Sequence, residues 1–481
     1  MRPTTTPDGI AALVAGDLVA SPERTWSTVL HPHDGAVVAR VGAASTADVE
    51  ACVQAAGRAA EGWRAVPAGE RARALRALAA DLRAAAETLA TLIVAESGKL
   101  RAEALAEVDL SCRYLEWFAS ITPDGEPRQT TPAARVALTP VGVVAAVTPW
   151  NFPLSIPVRK IAAALAAGCP VVLKPSPLAP ATAVDLVLRC QQHLPPGVVG
   201  LVLGGREEGL ALAGSAGVRA VSFTGSTEAG VHLATRLAAT LTRSVLELGG
   251  RAPAIVLPGS DLERAADTLM VAKFRNNGAS CIAANNVFVH ESQLEPLIDV
   301  LADRVQALQS GDPDDAATTL GPQRTPEHAR TIAGLAAQAE RGGCRVVRSA
   351  PVDEDSGCHT PAALVHADRE IESWEREVFG PLLQVRGFRD VDRVVQEVNE
   401  WQRGLGGYVV APEQEHATAL ARRLRIGIVG IDTGTPNSPE VPFGGFDLAG
   451  WGREGSMPGL EAFLEHQTLA YGPPVTGDDH G

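Results

Sequence analysis

Positive charge is the minority in this chain: 42 lysines and arginines stand against 56 aspartates and glutamates, a formal charge of −14 over 481 residues. That balance opposes nucleic acid and anionic membrane, so the partners expected are small molecules in local pockets. Aromatics are scarce at 4%, and helix faces must pack mostly through Ala, Leu and Val. The seven cysteines (Cys52, Cys112, Cys169, Cys190, Cys281, Cys344 and Cys358) are odd in number, scattered and free of any CxxC pair. This excludes a disulfide frame and a zinc site, and fits free thiols in a reducing compartment. No apolar run reaches the roughly 18 residues of a membrane span; the nearest, 160–174, is broken by Gly168 and Pro170. The N-terminal MRPTTTPDGIAALVAG lacks the charged start and apolar core of a signal peptide, so a cytoplasmic protein is expected.

What is present is ordinary for a globular chain, with 46% apolar and 20% charged residues. At about 100 to 200 residues per domain, the length implies two to four domains. Helical periodicity begins near Ser45 and Thr46, then resumes from about Glu70 through Leu75, Leu78, Leu82 and Leu89 until Gly98 stops it. Between Val141 and Val256, β-branched runs (VGVVAAVTP, PVVLKP, GVVGLVLG, RAVSFTGS, SVLELGG) alternate with helical stretches. Such alternation predicts a parallel sheet wound by crossover helices, with ligands bound beyond the carboxyl ends of the strands. Trp150, Asn151, Lys174, Gly225, Ser226 and Glu247 all fall there. A second α/β series follows from about Asp261. RQTTPAARVALTP and AFLEHQTLAYG read as extended arms, and TGDDHG as a loose tail.

Three side chains at these edges fit one reaction: the amide in PWNFP (Asn151), the carboxylate in LELGG (Glu247) and the thiol in NNGASC (Cys281). A thiol nucleophile needs a base for its proton or for water, and a donor for the oxyanion formed when a carbonyl is attacked. Singly these residues are unremarkable, since a lone Cys is usually a small buried hydrophobe and Glu or Asn a surface or capping residue. Their order and placement make the combination informative.

With TPWNFP, LKPSP, FTGSTEAG, LELGG, NNGASC, EVFGP, PFGG and GRE in this order, the chain resembles the aldehyde dehydrogenase superfamily from about residue 20 to residue 472. The resemblance implies an α/β fold with a Rossmann-type cofactor domain (1–122 and 144–246), an α/β catalytic domain (247–456) and a small β oligomerisation arm with a C-terminal strand (123–143 and 457–481). It implies oxidation of an aldehyde through a thiohemiacetal and then a thioester on Cys281. Asn151 and the Cys281 N–H would hold the oxyanion, and Glu247 would activate the hydrolytic water. Trp150, Lys174, Ser176, Pro177, Gly225, Ser226, Glu377 and Phe379 would meet NADP or NAD. Glu454 matches either a proton relay or a buried ion-pair carboxylate. No metal is implied, and the expected assembly is a homodimer or homotetramer.

Ala279, Ala283 and Asn286 depart from the family pattern, and Ala283 removes a neighbouring thiol that serves redox switching in some relatives. Two positions that are commonly aromatic in relatives acting on simple aldehydes are Arg159 and Arg275 here. The pair is similar to that of succinate-semialdehyde dehydrogenases and implies a carboxylate on the substrate's far end, with Ser438 and Phe443 beside it. Pro177 stands where NAD-selective relatives carry a glutamate, so acceptance of NADP is expected. Other anionic aldehydes, and a catalytically idle binding protein of the same fold, are the alternatives; the latter would be expected to lose one of Cys281, Glu247 and Asn151.

Overall fold

The structure is a computed structural model that describes residues 9–20, 26–352, 357–369 and 371–472. The TGDDHG tail therefore lies outside the described residues. Two sheets dominate, each with its own buried core. The first has five parallel strands, in spatial order Arg243–Glu247, Ala220–Thr224, Val144–Val147, Val171–Lys174 and Val199–Val202. Buried alanine-rich helices such as Ser155–Ala167 cover it, and all thirteen residues of that helix are buried. Small Ala side chains let helix and strand approach closely where bulky aromatics are few.

The second sheet is parallel through Ala363–His366, Leu382–Phe388, Ala284–His290, Ala252–Val256, Gly406–Val410 and Ile428–Ile431, with Arg345–Arg348 antiparallel at one edge. The two extended arms form a separate antiparallel sheet, in which Ala134–Pro140 pairs with Arg128–Thr131 on one side and Leu464–Ala470 on the other. Among the described residues, no helix is long and apolar enough to cross a membrane.

Two readings of the sequence need correction. The segment from Glu70 to Gly98 is not one helix: Ala68–Ala84 and Ala86–Ser97 meet at Ala85, and Gly98 (φ 73°) ends the second with a left-handed cap. Residues Gly450–Trp451, inside the stretch allotted to the catalytic domain, instead pair antiparallel with Arg243–Glu247 and extend the first sheet. An edge strand's unpaired backbone groups recruit whatever extended segment passes, wherever it lies in the chain.

Candidate active site

Cys281 is the one described cysteine that is not fully buried, and two cavities meet at its side chain. Its loop is tightly bent. Asn276 and Asn277 both adopt left-handed backbone (φ 55°), which asparagine tolerates better than most residues, and Gly278 follows at φ 75°. A Cβ on Gly278 would lie 2.3 Å from the Gly380 carbonyl, so only glycine lets this loop press against the EVFGP segment.

The larger of the two cavities, about 290 Å³, is lined by Trp150, Asn151, Glu247, Glu377 and Phe379 besides Cys281. Asn151 is buried, its Nδ2 donates to the Ala279 carbonyl at 2.9 Å, and it lines the same cavity as Cys281. Glu247, at the end of its strand, is 2% exposed and neither carboxylate oxygen has a partner. Burial, reinforced by the charge of Glu454, raises its proton affinity well above the usual carboxylate range. Burial likewise pushes the Cys281 thiol up to about 12, although Arg159 opposes the shift.

Glu377 is raised to about 7, again chiefly by burial. A Cβ on Gly249 would lie 2.2 Å from its carboxylate, which explains a glycine at that point of LELGG. Phe379 packs edge-on against Trp150 at 5.8 Å, and His328 stacks on Phe379 at 6.3 Å. The sequence reading missed His328, because its helix carries no motif and reaches the site only through tertiary packing.

A third cavity of about 400 Å³ continues along the carboxyl ends of the first sheet and shares Trp150, Thr224, Gly225 and Ser226 with the one beside Cys281. Lys174, Ser176 and Pro177 line it, as does Arg206, which the sequence reading also missed. Arg206 opens the helix Arg206–Ala213 just after the strand Val199–Val202, so the strand-end rule could have found it. Burial lowers Lys174 to about 8. Ser226 caps the helix Thr227–Ala238 through the Ala229 amide, and that helix end faces the shared cavity. The buried Thr224 Oγ1 has no hydrogen-bond partner in either cavity wall. A long apolar cleft with a helix N-terminus, a cation at one end and an orphaned hydroxyl midway fits a dinucleotide.

The smallest cavity, about 50 Å³, lies on the opposite side of Cys281 and is lined by Tyr114, Arg159, Arg275, Asn437 and Phe443 among others. Here the structure corrects two expectations. Arg159 does not depend on a ligand for compensation, because its guanidinium meets Glu454 at 2.6 Å. Glu454 is held below the usual carboxylate range: burial pushes it up, but Arg159 and Lys160 outweigh that. Lys160 and Ser222 complete this buried cluster, and no hydrogen bond joins Glu454 to Glu247. Second, Asn437 rather than Ser438 lines the cavity, while Ser438 lies beside Glu440 and helps to hold its carboxyl below the usual carboxylate range. Arg275, by contrast, has no ion-pair partner among the described residues.

Comparison with known proteins places this geometry in context. Residues 18–469 match the aldehyde dehydrogenase family. The chain is 35% identical over 465 residues to glutarate-semialdehyde dehydrogenase of Pseudomonas putida, covering 95% of this chain and 97% of the relative. It is also 35% identical over 469 residues to the NADP(+) succinate-semialdehyde dehydrogenase of Escherichia coli, covering 96% and 97%. The crystal structure of an E. coli NADP dependent enzyme superposes with a TM-score of 0.92 at 33% identity, covering 97% of this chain and 98% of that one. On the strength of a match across nearly its whole length, the chain belongs to the aldehyde dehydrogenase family and is an NAD(P)-dependent enzyme that oxidises aldehydes.

Proposed function

We propose that the cleft oxidises a short semialdehyde bearing a terminal carboxylate, succinate semialdehyde above all, to the dicarboxylic acid. The observation that carries this reading is Arg275: a half-buried cation in the wall of the small cavity beside Cys281, without an ion-pair partner among the described residues. The Glu103 carboxylate offsets this half-buried charge only through its field, with no ion pair, and a substrate carboxylate one short chain from the aldehyde would meet it directly. Arg159, neutralised by Glu454, forms the cavity floor 4.6 Å from the Phe443 ring and contributes shape and field more than binding charge. The small size of the cavity favours a short chain, and Asn437 takes the part first expected of Ser438.

In this reading Cys281 passes its proton by way of Glu247 to solvent and its sulfur bonds to the carbonyl carbon, while the Asn151 carboxamide N–H and the Cys281 backbone N–H receive the oxyanion. NAD(P) would be held along the clefts lined by Trp150, Lys174 and Ser226 and would accept the hydride whose loss turns the thiohemiacetal into the thioester. Glu247, whose raised proton affinity suits a base working near neutrality, takes a proton from the water that attacks the thioester carbon. The carbon–sulfur bond then breaks, releasing the acid and restoring the thiol. Glu454 raises the proton affinity of Glu247 through its charge rather than by direct handover.

Lys174, Ser176 and Arg206 around one cavity, with Pro177 in place of an acidic residue, favour a cofactor carrying a 2′-phosphate, with NAD still accepted. The two sheets correspond to cofactor and catalytic domains. The three-stranded arm sheet, whose outer strands have free edges, would join copies into a homodimer or homotetramer in the cytoplasm.

The deciding measurement is kcat/KM for succinate semialdehyde against butyraldehyde in the wild type and in Arg275→Leu. A strong preference for the acid that falls by about a hundredfold in the variant, the equivalent of the ~3 kcal/mol of a charge-assisted pair, supports the reading. Equal kcat/KM for both aldehydes in the wild type would refute a carboxylate clamp.

A further inference from the structure

The Asn151 turn and the Cys281 loop belong to different sheets, yet one helix of the first unit grips both. Helix Arg101–Ser120 carries Glu103 and Glu107 four residues apart, on one face. Glu103 Oε1 accepts the Asn276 backbone N–H of the cysteine loop at 2.7 Å. Glu107 Oε1 accepts the Leu154 and Ser155 backbone N–H groups just past Asn151, at 2.9 and 3.0 Å. The other oxygen of Glu107 pairs with Lys99 Nζ at 2.5 Å.

Lys99 is 1% exposed and its ammonium lies 4.2 Å over the Phe152 ring. Its ammonium donates onward to the Asn151 backbone carbonyl at 2.9 Å. The Asn276 side chain donates to that same carbonyl at 3.0 Å and to the Ala279 carbonyl at 2.8 Å. Ala279 O is in turn the acceptor that aims the Asn151 carboxamide. The peptide carrying Asn151 is therefore held at its oxygen by a cation and an amide, and its side chain is held at the cysteine loop.

Burying an ion pair rarely adds stability over an apolar replacement of the same shape, so its retention calls for another use. We propose that Lys99 and Glu107 act as a positioning pair that fixes the Asn151 peptide, so that the Asn151 N–H points at the developing oxyanion on the Cys281 side. The inference rests on the assignment of Asn151 as the oxyanion donor. Preorganised donors act only if their alignment costs nothing at the moment of reaction, and a buried salt link to the backbone supplies that rigidity.

The test compares Lys99→Met/Glu107→Gln, Asn151→Ala and the triple variant. The double change leaves no stranded charge, so it is expected to fold where Lys99→Met alone would leave Glu107 unpaired. Single-turnover NAD(P)H formation is followed with butyraldehyde and with whichever of NADP and NAD the wild type uses faster. Rates are expressed per mole of folded protein, collected from the gel-filtration peak at the wild-type elution volume, which removes unfolded protein from the comparison. The double variant should be slower by at least about tenfold, short of the hundredfold that a full ångström of misplacement costs. Within the Asn151→Ala background the same double change should add nothing, because the group it positions is gone. A wild-type rate per mole of folded protein in the double variant, or an equal loss in both backgrounds, would overturn the proposal. If Asn151→Ala alone keeps the wild-type rate, the oxyanion assignment itself fails, and the positioning role with it.

Discussion

The two sides of Cys281 are built differently. The nucleotide side is an open cleft along consecutive strand ends of one sheet, mostly apolar, with cations at its far end. The aldehyde side is a small pocket assembled from the helix Arg101–Ser120, the PWNFP turn, the cysteine loop and the loop near Asn437. On the first side Arg206 keeps its charge exposed to water, while burial lowers Lys174. On the second, two arginines share one wall and differ in kind: Arg159 is ion-paired to a protein carboxylate, and Arg275 has no ion pair among the described residues. Residue type alone does not distinguish a substrate clamp from a structural ion pair; the partner does.

The largest expected effects test what the two sides share. Glu247→Gln should retain a burst of NAD(P)H close to one per active site while steady-state turnover falls on the order of a hundred- to ten-thousandfold, as for loss of a general base. Full steady turnover in that variant would remove Glu247 from deacylation. Next comes the contrast between the arginines. Arg159→Leu leaves Glu454 with Lys160 alone and should destabilise the fold by about 3 kcal/mol in urea titration, at the low end for a broken buried pair. Arg275→Leu should change stability by less than about 1 kcal/mol while altering substrate choice. If the two variants lose equal stability, the distinction between them collapses.

A pH series sharpens the electrostatics. Burial holds the Cys281 thiol at about 12, so its reactive thiolate is a small fraction near neutrality and grows as pH rises. Alkylation by iodoacetamide without cofactor should therefore accelerate about tenfold per pH unit between roughly pH 7 and 9. A plateau below pH 9 would mean that the thiol ionises far more easily than its surroundings dictate. The smallest effect belongs to the open side. Arg206→Ser should lower kcat/KM for NADP about fivefold and leave NAD unchanged, the loss of one exposed charge contact. An equal loss with both cofactors would place Arg206 outside phosphate recognition.

Much of the open side was legible in the sequence. The alternation from Val141 to Val256 predicts the parallel strands, and Lys174, Ser176, Gly225 and Ser226 fall at their carboxyl ends because the winding rule puts them there. Arg206 follows the same rule and was overlooked only for want of a motif around it. The aldehyde side was legible in its residues and not in their pairings. Arg159 and Glu454 are far apart in the chain, so no local pattern couples them. The exchange of Ser438 for Asn437 reflects a loop without period or cap to set its register.

The sequence by itself determined the reaction class, because a thiol, a carboxylate and an amide set at strand ends in fixed order leave few alternatives, and it determined the sheets through their hydrophobic period. Only the tertiary structure decided which buried charges are already satisfied, which loop side chain reaches the pocket, and that Glu103 and Glu107 of one helix tie the Asn151 turn to the cysteine loop. The reason is physical: hydrophobic patterning is written at spacings of two to four residues, whereas the energy of a buried charge depends on what stands within a few ångströms, however distant in sequence.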